Sequence, residues 1–407
     1  MPQQFLIRIC QVLIVPIMLG SLLSCRSPES IIRVTEESSQ QLPSALPLEV
    51  EMDGELLRQA ILDLPPASEH GLRSMLVMRR GKLVLEAYWN GYDKNAQQDL
   101  RSATKSITSL LLGIAIDRKF VKGIDEPLRT YLGPVYPNAA ALQQDITLGD
   151  LRTMRSGLAC NDRDEGSPGQ EDRMYREHDW VGYFLHLPTV SPAGQATHYC
   201  TGGVVALGRV ISEASKRSVP TFADEFLFGP LGIKEAHWSN FDNHRQTDTG
   251  GHLFLRPRDM AKIGQLVLQG GTWSGQKLLP RAWIEQSTNE HTRIDGDKPY
   301  GYLWWRLLLP YRGSHVSAIF AGGNGGQYIF VVPELELVVV FTGGNYNSKK
   351  AQRPYQLMNK YILPAVQKTL SVSTKSLDEE RINPSFERTF DGAAHANEHG
   401  RLCRRLS

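Results

Sequence analysis

The chain lacks a strong charge of either sign. Its 45 basic and 43 acidic residues, among 407, leave a formal net charge of +2, so nothing points to nucleic acid as a partner. It has no G-x-S-x-G elbow, which argues against an α/β-hydrolase layout. It has no H-E-x-x-H, and His395 and His399, at helical spacing, lie in a polar tail where a solvated pair is expected rather than a metal site. Nothing implies a nucleotide or redox cofactor, so no metal and no cofactor are expected. Cysteine is scarce, five residues in all. An unbroken apolar run is missing too: the stretch over 9–23 is interrupted by Cys10, Gln11, Pro16, Gly20 and Ser21, too short and broken for a spanning helix.

What is present starts at that stretch. Residues 1–24 carry Arg8 and then the short apolar run, which reads as a secretory signal peptide. The run ends in Leu22-Leu23-Ser24-Cys25, which resembles the lipobox of bacterial lipoproteins. It implies acylation of Cys25 and a lipid anchor in the membrane, in a bacterial periplasm or cell envelope; a plain signal peptide is the alternative. Residues 25–47, rich in Ser, Glu, Gln and Pro, suit a flexible tether. Cys160 and Cys200 are the only cysteines in the body of the chain. They are either a disulfide, in an oxidising compartment, or two separate buried thiols.

The folded body is expected over 48–368, with a disordered tail over 369–407. Helical spacing opens it at 55–64, and two strands follow at 74–77 and 83–89 around Arg79-Arg80-Gly81-Lys82. Helices are read after Ser102, after the capping box of Thr147 and Asp150, at 203–215 and at 258–268. The last third turns β-rich, with Pro333-Glu334 as a hairpin turn, before a closing helix over 355–366. The order implies an α+β fold: an antiparallel sheet built from N- and C-terminal strands, flanked by helices, with a helical lobe inserted over roughly 106–250.

Three stretches carry chemistry. The first is Ser102-Ala103-Thr104-Lys105 at the head of an apolar helix. Residues three apart share a helix face, so Lys105 falls beside Ser102. A serine needs such a neighbour because its hydroxyl is a weak nucleophile near neutral pH. Alone the motif is weak, and a second copy, Ser274 to Lys277, sits in a glycine-rich turn where a solvated loop is expected. The second stretch is His198-Tyr199-Cys200-Thr201 before a helix, where a tyrosine beside an ammonium would accept a proton; a ring packed for structure is the plainer reading. The third is Gly322-Gly323-Asn324-Gly325-Gly326 leading into a strand, either a site of close ligand approach or an ordinary turn.

Together and in this order, the three stretches resemble the serine β-lactamase and penicillin-binding-protein family, above all class C β-lactamases and their esterase and 6-aminohexanoate-dimer hydrolase relatives. Ile146 to Leu151, Met154 to Leu158, Gly208 to Ile211 and Tyr300 to Trp305 are similar to the same group. The resemblance implies a β-lactamase/transpeptidase-like fold and a serine hydrolase acting on a small-molecule or short-peptide acyl substrate. Ser102 would be acylated, Lys105 would lower its proton affinity, and Tyr199 would serve as base and then acid. The oxyanion would sit between the Ser102 N–H and one near Asn324, beside Gly323 and Gly325. Thr201 stands where the family has Asn, and the glycine cluster lacks the family's cation. A substrate without a carboxylate therefore fits better than a β-lactam. Tyr175, Asp179 and Trp180, in a long polar segment, are candidate substrate contacts. The competing function is a penicillin-recognising binding or sensing protein of the same fold with little or no turnover.

Overall fold

In the computed structural model, residues 42–239 and 246–367 are described. The strands of the main sheet are β1 (Leu72–Arg79), β2 (Lys82–Tyr88), β3 (Thr292–Ile294), β4 (Lys298–Tyr300), β5 (Trp305–Tyr311), β6 (Ser314–Gly323), β7 (Gln327–Val332) and β8 (Leu337–Gly343). They form an eight-stranded sheet in the order β2-β1-β8-β7-β6-β5-β4-β3, antiparallel at every step. A lone N-terminal hairpin would be marginal. Here β8 completes it, from Leu72 opposite Gly343 to Arg79 opposite Leu337.

Both faces of the sheet are covered, which is why β8 reads Leu-Val-Val-Val-Phe without polar alternation. Leu76, Met78, Val338 and Val340 face the core of the helical lobe. Met75, Val77, Val339 and Phe341 face the opposite way, into a second core that includes Leu57 of α1 (Gly54–Leu62) and Ile362 near the C-terminus. The helices that build the site are α2 (Thr104–Asp117), α3 (Leu148–Arg152), α4 (Glu171–Met174), α5 (Trp180–Leu185), α6 (Thr201–Ser215) and α7 (Pro257–Leu268). Helix α2 is buried on all sides from Thr104 to Ala115, so it is an internal axle of the lobe rather than an amphipathic surface helix. Helix α7 lies so close to the sheet that a Cβ on Gly264 would approach Val338 to 2.5 Å.

The expected α+β arrangement and the Thr147–Asp150 capping box both stand in the structure. Two local expectations change. The tether drawn to residue 47 ends sooner, because Leu42 is buried and Pro43 and Ala45 exchange backbone hydrogen bonds with Leu83. This short pairing covers part of the outer edge of β2. The closing helix is not continuous: a turn at Arg353–Leu357 widens into a π-helical turn at Met358–Ile362 before Leu363–Ala365. Pro364 cannot give the N–H that an α-helix would direct to Lys360. The expectations for residues 1–24, Cys25 and 369–407 lie outside the described residues.

Candidate active site

Ser102 does not begin α2. It occupies the middle of a single 3₁₀ turn, Arg101–Ala103, that runs directly into the helix. Arg101 before it has φ of 48°, in the left-handed region that residues other than glycine seldom enter. Several contacts hold it there. The Arg101 N–H donates to Asp99 at 2.9 Å, and its guanidinium lies 3.0 Å from the other Asp99 oxygen. Arg101 also donates to Nε2 of His252 at 3.3 Å. Arginine has no acceptor, so Nε2 is the bare nitrogen, and Nδ1–H donates to Asp99 at 2.9 Å. Burial pushes the Asp99 carboxyl up, but hydrogen bonds from His252 and Arg101 outweigh it and hold the pKa below the usual value. Behind the turn, a Cβ on Gly323 would fall 2.1 Å from the Leu100 carbonyl oxygen. Gly323 thus serves close packing of β6 against the serine turn.

Lys105 Nζ donates to Ser102 Oγ at 3.1 Å and to the Gly250 carbonyl at 2.6 Å. The same nitrogen lies 5.0 Å from the centre of the Tyr199 ring. Lys105 is 1% exposed. Burial alone would depress its pKa, but electrostatic interactions with Tyr199, Glu171, Asp162 and Asp248 outweigh burial and leave it raised. That direction fits the geometry, in which Nζ donates to Ser102 Oγ. Tyr199 is fixed by its ring: it stacks on Trp305 at 5.7 Å, meets Tyr300 edge-on at 6.4 Å, and has the Arg163 guanidinium 5.0 Å from its centre. The next residue, Cys200, caps α6 and is disulfide-bonded to Cys160, which decides between the two alternatives the sequence left open.

Ser102, Lys105 and Tyr199 are thus brought together, while other expected contacts are not. Thr201 is fully buried and turned from any substrate, its hydroxyl lying 2.7 Å from Asp162 and 2.9 Å from Glu171. Asp179 caps α5 through the Gly182 N–H at 2.9 Å and accepts from Tyr136 at 3.0 Å. Trp180 is 2% exposed, inside the lobe core. Both read as loop residues because the helix they begin has only six residues. The Tyr175 hydroxyl donates to Asp248 at 2.9 Å; burial first, then that carboxylate, raises its pKa well above the ordinary value. The Asn324 side chain is paired with Asn347, donating at 2.8 Å and accepting from its N–H at 2.9 Å. Gly325, with φ of 91°, bridges Asn345.

Sequence reasoning missed the polar frame around the lysine. Asp248 accepts from the Gly250 and Gly251 N–H groups at 3.1 and 2.8 Å. That turn presents the Gly250 carbonyl to Lys105. Asp162 and Glu171 complete the frame, and burial followed by the Glu171 charge pushes the Asp162 carboxyl up to about 7. Among the described residues, no group of three or more His, Cys, Asp or Glu side chains is arranged to hold a metal ion. A separate cavity of about 250 Å³, lined by residues including Leu42, Lys94, Arg256 and Arg258, shares no lining residue with this site.

A serine on a helix-entry turn, a buried lysine one turn on, a tyrosine before a second helix and a glycine-rich strand end define a scaffold of the β-lactamase and penicillin-binding-protein class. The chain belongs to the beta-lactamase family, whose model matches residues 58–362. A 6-aminohexanoate-dimer hydrolase of Paenarthrobacter ureafaciens is 22% identical over 289 residues, 66% of this chain and 71% of that protein. A provisionally named 6-aminohexanoate-dimer hydrolase from Bacillus anthracis shares the fold with a TM-score of 0.64 and 19% identity, over 80% of this chain and 87% of that one. EstCE1, a hydrolase with promiscuous acyltransferase activity, matches with a TM-score of 0.61 and 14% identity, over 77% of this chain and 98% of that one.

Proposed function

We propose that the protein is a serine hydrolase that cleaves an ester or amide through an acyl-enzyme on Ser102. The observation that carries this reading is the buried Lys105 Nζ, 3.1 Å from Ser102 Oγ and 5.0 Å from the Tyr199 ring centre. In this reading Tyr199 takes the Ser102 proton as Oγ attacks the acyl carbon, and Lys105 stabilises the charge growing on Oγ. The oxyanion is held by the Ser102 N–H and a strand-edge N–H near Asn324. Tyr199 then returns the proton to the leaving group, and water releases the acyl group by the reverse path. The missing cation in the glycine cluster favours acyl substrates without a carboxylate over β-lactams. Relatives named as a 6-aminohexanoate-dimer hydrolase and as an acyl-transferring hydrolase support the same direction.

The disulfide supports placing the protein in an oxidising compartment, and the N-terminal sequence supports export with a lipid anchor at Cys25. Loss of membrane association in Cys25→Ser is the expected result. The decisive activity test is fluorophosphonate labelling with turnover of p-nitrophenyl esters. Wild type labels and turns over, and Ser102→Ala does neither. Labelling without turnover would instead mark a penicillin-recognising sensor. Unchanged turnover in Ser102→Ala would sink the assignment.

A further inference from the structure

The Thr201 hydroxyl poses a counting problem. It lies 2.7 Å from an Asp162 oxygen and 2.9 Å from a Glu171 oxygen, yet a hydroxyl owns one proton and can donate to only one of them. The second contact becomes a hydrogen bond only if one carboxyl carries a proton and gives it to the threonine oxygen. Two ionised carboxylates there would place two oxygens against the threonine with one hydrogen between them.

We propose that Asp162, Thr201 and Glu171 form a proton-sharing chain, one proton between two carboxyl groups, that positions Lys105 and adjusts the charge around Tyr199. The proposal rests on the serine-hydrolase reading for its catalytic consequence, but not for its chemistry. The same Asp162 oxygen also accepts the Thr201 N–H at 2.7 Å, at the first turn of α6. The other Asp162 oxygen is buried with no hydrogen-bond partner among the described residues. A permanently ionised Asp162 would leave that oxygen as uncompensated buried charge, and a shared proton removes the penalty. The proton belongs to the pair rather than to either residue.

The chain's neighbours make it the adjustable part of the site. Lys105 faces it from α2, Tyr199 and Arg163 from the loops beside α6, and Tyr175 from the end of α4. Asp248, with His252 near it, faces it from the turn that presents Gly250. Asp248 already accepts from Tyr175 and two backbone N–H groups. Loss of the shared proton adds one buried negative charge beside Lys105 and Tyr199. That charge tightens the hold of Lys105 on its proton and opposes a phenolate at Tyr199. Thr201 thus replaces the amide of the family motif with a hydroxyl that links two acids.

The test needs two readouts. Infrared spectroscopy of the whole protein, with no substrate, should show a protonated-carboxyl band that titrates away with a midpoint near 7, lost in Asp162→Asn and Thr201→Val and kept in Thr201→Ser. The pH profile of kcat/KM on a p-nitrophenyl ester should show its acidic limb moved to lower pH by about one unit in Asp162→Asn, with Thr201→Ser at the wild-type position. A wild-type protein without a titrating band overturns the proposal, even if no variant folds. So does an Asp162→Asn profile lowered equally at every pH without a shift. A titrating band in a protein that turns over no ester leaves the proton chain standing and removes the hydrolase reading instead.

Discussion

Ser102 to Lys105 and Ser274 to Lys277 carry the same two residue types at the same spacing, in different places. The first pair enters a helix, where residues three apart face one way, and Nζ reaches Oγ. The second pair occupies a two-stranded hairpin in which Thr272 pairs with Lys277 and Trp273 with Gln276. Ser274 is left on the turn, with φ of 47°, while Lys277 Nζ donates to Asp117 at 3.4 Å. Exposure separates them as sharply: 1% for Lys105 and 61% for the Lys277 side chain. A serine three residues before a lysine becomes chemistry only when a helix aligns the pair and a core removes water from it.

That contrast can be broken by matched substitutions. Ser102→Ala should lower ester turnover by roughly a thousandfold or more, whereas Ser274→Ala should stay within about twofold of wild type; steady-state kinetics on a p-nitrophenyl ester measures both. Lys105→Ala should cost roughly a hundredfold or more in kcat/KM, and Lys277→Ala should leave it unchanged. Gly323→Ala pushes a methyl into the Leu100 carbonyl, so denaturant unfolding should show a loss of about 1–3 kcal/mol together with reduced activity. Gly275→Ala, at φ of 79° with open space around it, should cost only about 1 kcal/mol, with activity intact. The smallest effect belongs to the exposed Lys277–Asp117 pair, where a double-mutant cycle should return about 0.5 kcal/mol or less. A large coupling there would mean that the second motif is more ordered than its exposure implies.

The fold was legible where one local signal decided the structure. The apolar run behind Lys105 becomes α2, the Thr147 hydroxyl caps α3, and Pro333 turns the chain between β7 and β8. Ser102, Lys105 and Tyr199 could be picked out, because their neighbourhoods combine a helix entry with the family's order. The carboxylates could not. Asp162 and Glu171 sit in a long polar stretch that reads as a binding loop without singling them out, and Asp248 lies far along the chain. Only the packing of that loop against the start of α6 turns Asp162 and Glu171 inward. Arg101 was silent for a different reason: the His252 ring and the abutting strand end that help hold its positive φ lie far along the chain, and Asp99 two residues before it gives no signal alone. Asp179 and Trp180 misled because a two-turn helix is too short to show a period.

The disulfide has a consequence for where the molecule becomes competent. Cys160 and Cys200 bracket the loop that carries Asp162, Glu171 and Tyr175, across a sequence separation of 40. No cysteine lies in the eight strands, so a chain in a reducing environment can complete its sheet while that loop stays untied. Reduced and bridged protein would share that sheet, so gel filtration and circular dichroism are expected to distinguish them poorly. Thiol counting, rather than shape, is the appropriate criterion of quality for this protein.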